Sequence, residues 1–323
     1  MRGVGIALKA RLHFSRDSAS VSFDCNVIKS VFVDQSGQGD FTSITAAIAS
    51  VPLNNNIWIR IHVKPGVYKE KVQIPKHKGF IMLEGEGYEQ TSVEWGDHVN
   101  GSITTSLTST FRFSGDNIVV KNIAFKNTYD GGVRLGQALA VLVEGDKISF
   151  YNCGFYGIQD TVCDYNGRHY YKNSYIQGAV DFIWGVGQSI YEECTIASIG
   201  ADLTHGYITA QGRMKETDSG GFVFKSCNVT GSLKTYLGRA WTPYSRVIFY
   251  RSFIAGMIIP QGWDPYNATG KEWLTDYVEF GCSGPGSRTS GRVKWMKKPT
   301  YDQLKQFIDI SYIDSEGWLS QQP

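Results

Sequence analysis

Several things that would send this chain elsewhere are missing from it. No apolar run approaches the ~20 residues of a membrane-spanning helix, so no helical membrane segment is expected. Neither sign of charge dominates: 32 Lys and Arg stand against 30 Asp and Glu, for a net charge of +2. That balance leaves no footprint for nucleic acid. The densest basic cluster, Lys294, Lys297 and Lys298, reads as a solvated face. Proline is scarce, at 9 residues in 323, which argues against a disordered or fibrous chain. The six cysteines, Cys25, Cys153, Cys163, Cys194, Cys227 and Cys282, form no C-x-x-C, and no histidine stands at zinc-ligand spacing. No metal site and no cofactor are expected. There is no G-x-S-x-G. The segment Thr217–Gly221 (TDSGG) imitates a serine-hydrolase nucleophile, but His13, His62, His77, His98, His169 and His205 lack a matching context. A readable secretion signal is also missing: the apolar stretch Val4–Leu8 is interrupted by Lys9 and Arg11, short of the ~7–15 apolar residues such a signal needs.

What is present points to a β-rich globular protein: 42% hydrophobic residues, 13% aromatics and 36 glycines. A short pattern recurs as VVKNIAF, SFYNCGF, YYKNSYI, IYEECTI, VFKSCNV and IFYRSFI. Its polar positions are Asn122, Asn152, Asn173, Glu193, Ser226 and Arg251, at spacings of 30, 21, 20, 33 and 25. Alternation over six or seven residues argues strands. No helical periodicity separates them, so β-α-β crossovers are not expected. Strands returning every ~20–30 residues fit a parallel β-helix; an antiparallel sandwich would bring them back every ~8–12. The expected fold is all-β, a single-stranded right-handed parallel β-helix with short capping helices at its ends. Residues 41–51 (FTSITAAIASV) suit an amphipathic helix capped by Asp40 or Thr42, and 299–309 a second short helix.

The stretch AVDFIWGVG, Ala179–Gly187, sets a carboxylate, Asp181, against Phe182, Ile183 and Trp184. An ionised carboxylate is costly to bury without a partner, and a lone Asp there would read as a loop cap. The repeat changes that reading. Asp160 lies eight residues after Asn152, and Asp181 eight after Asn173. Equal offsets stack on consecutive coils, with strands ~4.8 Å apart. Two carboxyls so placed separate in pKa, one serving as acid and the other as nucleophile or base. The same offset from Asn122 gives Asp130, after a longer loop that weakens the correspondence. Gln137 and Gln159 could supply amide N–H groups to an oxyanion. Arg239 could hold an aspartate charged. Tyr236, Trp241 and Trp263 could form a platform for sugar rings or pack in the core. Sequons at Asn100, Asn228 and Asn267 would be usable in a secreted glycoprotein. One or two disulfides would fit the same setting.

Five segments carry a resemblance. GVYKE (Gly66–Glu70), GQALAV (Gly136–Val141), GIQDTV (Gly157–Val162), DFIWG (Asp181–Gly185) and YLGRAW (Tyr236–Trp241) resemble, in order and spacing, the signatures of the plant-type pectinesterases, the pectin methylesterases. ITAQGR (Ile208–Arg213) and SGPGS (Ser283–Ser287) are similar to further family blocks. The resemblance covers roughly Val31 to Trp318 and implies a metal-free esterase using two aspartates. By it, Asp181 resembles the nucleophile, Asp160 the general acid then base, Gln137 and Gln159 the oxyanion amides, Arg239 the residue that orients the nucleophile, and Trp241 a substrate contact. Cys194 and Cys227 resemble a disulfide of plant members.

The resemblance further implies methyl-esterified homogalacturonan as substrate, with pectate and methanol as products, in cell wall modification and pectin catabolism. It implies a secreted, cell-wall monomer, with a proteinaceous pectinesterase inhibitor as a partner. The expected organisation is a leader or disordered segment at 1–30, the catalytic β-helix at 31–318 and a tail at 319–323. Departures are QDTV for QDTL with Cys163 following, DFIWG for DFIFG and LGRAW for LGRPW; they bear on substrate fit. Rival readings are a polygalacturonase or pectate lyase and a silent carbohydrate-binding solenoid. A lyase would want a calcium-binding carboxylate cluster that the sequence does not display.

Overall fold

The computed structural model describes residues 27–130, 135–200 and 203–323. Three parallel sheets of ten, eight and eight strands wind into one solenoid. Each full coil gives a strand to the first sheet, then the third, then the second, and every strand pairs in parallel with the strand one coil away. The expected parallel β-helix is what the chain forms. The first sheet begins at Val27–Val33, so ordered strand starts inside the segment expected as leader or disordered. Cys25 lies outside the described residues.

The recurrent pattern is the turn from the first sheet to the third. Asn122, Asn152, Asn173, Glu193, Ser226 and Arg251 all adopt left-handed backbone, with φ between +47° and +56°. Asn tolerates that conformation best among non-glycine residues. Stacked turns also let Asn152 donate its amide N–H to the Asn122 side-chain oxygen at 2.7 Å. Two residues earlier the chain points inward. There Phe150, Tyr171, Tyr191, Phe224 and Phe249 form one stack of rings, centroids 4.4–4.8 Å apart and within 14° of parallel. One residue after the turn a column of small groups also points inward: Cys153, Ser174, Cys194, Cys227 and Ser252.

That column holds the two cysteines expected to pair, and their side chains interact across the coils. Cys194 and Cys227 sit on adjacent coils but are free, buried thiols. Cys194 Sγ donates to Tyr171 O at 3.5 Å, and Cys227 Sγ to Tyr191 O at 3.2 Å. Ser252 Oγ makes the same cross-coil bond, to Phe224 O at 3.2 Å, while Ser174 Oγ donates to Lys172 O on its own coil at 3.0 Å. Cys153, Cys163 and Cys282 are free as well.

Helix α1 (Ile44–Ser50) buries Ile44, Ala47 and Ile48 against the first coil and closes that end. Its cap is Ser43, not Asp40 or Thr42. Ser43 Oγ accepts from Ala46 N at 3.2 Å, while Asp40 is taken by the Phe32 N–H. Glu70, the last residue of GVYKE, accepts from Ile44 N and Thr45 N at 2.9 Å each, placing an anion at the helix start. Helix α2 (Tyr301–Ile308) has a Thr300–Gln303 capping box. It is not an end cap: Leu304 and Ile308 pack on the outer face of the first sheet, against Tyr170, Ile190, Val223 and Ile248. The expected tail is docked on that sheet too, with Gln322 accepting from Ser149 Oγ at 2.6 Å and Pro323 O from Lys121.

Candidate active site

The second left-handed turn joins the third sheet to the second. Gln159 and Val180 bridge in parallel register, and Asp160 N donates to Val180 O at 3.0 Å. The next residues, Asp160 and Asp181, are therefore neighbours across one strand spacing, about 4.8 Å. Their φ values are +64° and +49°. The turn needs a close approach ahead of it: a Cβ on Gly178 would lie 2.2 Å from that of Phe182. Phe182 and Ile183, which follow Asp181 in the chain, are wholly buried.

The two carboxyls are 7% and 4% exposed, yet their surroundings differ. Arg239 grips Asp181 with two donors, Nε to Oδ1 at 2.7 Å and Nη2 to Oδ2. Burial pushes the Asp181 carboxyl up; the guanidinium pulls against this, nearby Asp264 adds to it, and the group stays above its ordinary value, though less far above it than Asp160. Asp160 has no such grip. Burial, and then the Asp181 charge, push it well above the usual carboxylate range, with only a remote pull from Arg239. The proton therefore belongs on Asp160 and the negative charge on Asp181.

A pocket of about 200 Å³ opens over the pair, lined by Thr105, Gln137, Asp160, Asp181, Trp184, Ala210 and Trp241. Gln137 is thus gathered into the site, and so is Trp241, 44% exposed at its rim. Gln159 is half-buried beside Asp160 in the chain but does not line the pocket. Tyr236 stands apart from the pocket, stacked on Tyr207 at 5.3 Å.

Trp263 is a correction. Strand parity puts it in the inward column Val162–Ile183–Thr209–Gly238–Trp263. It is 1% exposed, stacks on Tyr277 at 4.4 Å and donates its indole N–H to Glu279, so it is core. Asp130 is exposed, outside the pocket.

Sequence reasoning missed Thr105 and Ala210, and the aromatic ring around Arg239. Tyr207, Tyr266 and Trp241 lie 4.5, 4.3 and 5.6 Å from its Cζ. The register runs Asp160–Asp181–Tyr207–Tyr236, but the loop after Ser198 lengthens the Glu193–Tyr207 offset, so eight-residue counting could not reach Tyr207. Asn100, Asn228 and Asn267 are all exposed. The Asn267 amide, however, donates to Trp241 O at 3.1 Å, a bond that ties that loop to the rim. Among the described residues no three His, Cys, Asp or Glu side chains converge to hold a metal ion.

The pectinesterase family model matches residues 30–316. The chain belongs to the pectinesterase family. Two Arabidopsis thaliana proteins, named probable pectinesterase 55 and probable pectinesterase 29, are 48% and 46% identical to it. The alignments cover 91% of this chain in both cases, and 91% and 89% of the relatives. The solved pectin methylesterase from carrot superposes with a TM-score of 0.86 at 30% identity, covering 95% of this chain and 98% of that one. A pectin methylesterase from Aspergillus niger gives 0.78 at 28%, covering 95% and 98%. This pectinesterase therefore places its two aspartates, one amide side chain and one exposed indole around a single small pocket.

Proposed function

We propose that the chain removes methyl esters from homogalacturonan through an aspartate nucleophile and an acyl-enzyme. The observation that carries this reading is the unequal carboxyl pair: Asp181 held charged by Arg239, Asp160 held protonated by burial beside it. Asp181 attacks the ester carbonyl carbon. The oxyanion takes a hydrogen bond from the amide of Gln137, which lines the pocket, and a second from that of Gln159, which must turn in from its half-buried place beside Asp160 when the ester binds. As the tetrahedral species collapses, the C–O bond to the methoxy group breaks and Asp160 gives its proton to departing methanol. Asp160, now ionised, takes a proton from water, which attacks the anhydride; the free galacturonate leaves and both carboxyls return to their starting states. Trp241, exposed at the rim, offers a face to a sugar ring.

The family membership and the pectin methylesterase relatives support pectin as substrate. The proposal extends to a secreted, cell-wall glycoprotein that acts as a monomer and is open to a proteinaceous inhibitor; the exposure of all three sequons is consistent with its glycoprotein part. The deciding experiment measures methanol release from highly methyl-esterified pectin by wild type and Asp181→Asn. Wild type should release methanol without shortening the polymer, and the variant should release none while its thermal unfolding remains cooperative. Full activity in Asp181→Asn sinks the mechanism. Chain cleavage without methanol favours a lyase or polygalacturonase, and binding without turnover a silent solenoid.

A further inference from the structure

Arg239 has more than one carboxylate within reach. Strand register places it next to Asp264 on the following coil, while its guanidinium reaches back to Asp181. A guanidinium carries five N–H donors in a fixed fork, so which carboxylate receives that fork is a competition. In this chain Asp264 is already occupied. Its Oδ2 accepts the Tyr207 hydroxyl at 3.0 Å, and its Oδ1 accepts Tyr266 N at 2.8 Å. Tyr207 is the immediate register neighbour of Asp181, and its ring lies 4.5 Å from Arg239 Cζ. One phenol therefore does two things: its face holds the guanidinium and its hydroxyl occupies the rival carboxylate.

We propose that Tyr207 and Asp264 are positioning residues of the nucleophile, their hydrogen bond keeping Asp264 off Arg239 so that Arg239 stays on Asp181. This rests on the reading of Asp181 as the nucleophile. The groups facing Asp181 are Asp160 from the preceding coil, Tyr207 from the next, Arg239 and Asp264 beyond it, and the buried phenol of Tyr277. The Tyr207 proton is given to Asp264, so the His205 Nε2 contact, at 3.1 Å, donates into the same hydroxyl. That second bond fixes the hydroxyl's direction. The Asp264 charge already acts to raise the Asp181 carboxyl; freeing it from Tyr207 would add the loss of Arg239.

The experiment compares kcat and KM for methanol release across pH in wild type, Tyr207→Phe, Asp264→Asn and the double variant, with thermal unfolding of each. The acid limb of kcat reports ionisation of the nucleophile in the enzyme–substrate complex. Tyr207→Phe keeps the ring and loses the hydroxyl. It should lower kcat on the acid limb by roughly three- to tenfold, the scale of one ordinary net hydrogen bond, with KM and the high-pH plateau within about twofold. Asp264→Asn removes the rival charge and should move the acid limb the opposite way. The double variant should follow Asp264→Asn, since no carboxylate is left to compete. An unmoved acid limb in Tyr207→Phe, or a loss that persists undiminished in the Asp264→Asn background, overturns the proposal. Asp181→Asn run alongside separates the two levels. If it is inactive while Tyr207→Phe is unchanged, only the positioning role fails. If Asp181→Asn is active, the nucleophile assignment fails and the positioning role with it.

Discussion

At the turn from the first sheet to the third, six residues hold left-handed backbone with exposed or half-exposed polar side chains. At the turn from the third sheet to the second, Asp160 and Asp181 hold the same conformation with side chains almost wholly buried. Left-handed backbone costs a non-glycine residue ~1–2 kcal/mol at either turn. The first turn recovers much of this where Asn stands there, as in the Asn152–Asn122 bond. The second adds a further cost, a buried carboxyl without a cation of its own at Asp160. A turn shaped only for stability would not keep that combination, so the difference separates backbone geometry supplied by the solenoid from chemistry supplied by one pocket.

Asp160→Asn breaks the comparison hardest. Turnover should fall by ~10²–10⁴, the usual worth of general acid–base catalysis. The fold should gain stability, by about 0.5–2 kcal/mol at neutral pH. The sign follows from linkage: a carboxyl whose folded pKa is raised binds its proton more tightly when folded. It therefore subtracts stability once pH climbs above its unfolded value of ~3.9. Asn has no proton to lose. Denaturant midpoints and methanol release on one preparation check both halves; a destabilised Asp160→Asn would contradict the strain assigned to that turn. Gln137→Ala should cost ~10²–10³ in kcat, and a loss below about tenfold denies it the oxyanion.

How far these features could be read beforehand depended on register. Six polar turn residues at fixed places in strand repeats announced the solenoid. The two shortest, most regular coils put Asp160 and Asp181 at equal offsets, so the pairing of these two aspartates was legible by counting. Counting failed where a loop grew. Tyr207, beside Asp181 in space, lies after the lengthened connection that follows Ser198. Trp263 failed for a different reason: composition says that a tryptophan lies near polar motifs, but only parity says which side of the strand it takes. The sequence repeat likewise placed small residues after each turn, Cys194 and Cys227 among them, without revealing that this column points inward.

A third buried carboxylate sharpens the contrast. Asp164 has no exposure, and neither has His169. His169 Nδ1 lies 2.6 Å from Asp164 Oδ1 and its Nε2 2.8 Å from Gly145 O, while Tyr191 donates to Asp164 Oδ2 at 2.6 Å. Both ring nitrogens face oxygens, a setting that favours the imidazolium. Burial works against that charge, but Asp164 and the Gly145 carbonyl outweigh it and leave the His169 pKa raised. A raised folded pKa gives stability fully present below the unfolded value of ~6.5, and lost as pH rises through the folded one. Unfolding free energy measured by urea should decline across that window in wild type. The decline should be absent in His169→Gln, which should itself lose ~3–5 kcal/mol on the acid side for breaking a buried pair.

The smallest expected effect falls at the first turn. Ser226 is exposed with φ +54°, in a column where Asn122, Asn152 and Asn173 occupy the equivalent place. Ser226→Asn should relieve part of the left-handed cost and stabilise the fold by a few tenths of a kcal/mol, up to about 1. Methanol release should be unchanged, because the residue lies at the turn that carries no carboxyl pair. Thermal midpoints of wild type and Ser226→Asn, read with kcat for each, test both statements. An altered kcat would mean that the two turns communicate through the coil, and the separation of solenoid geometry from pocket chemistry would have to be given up.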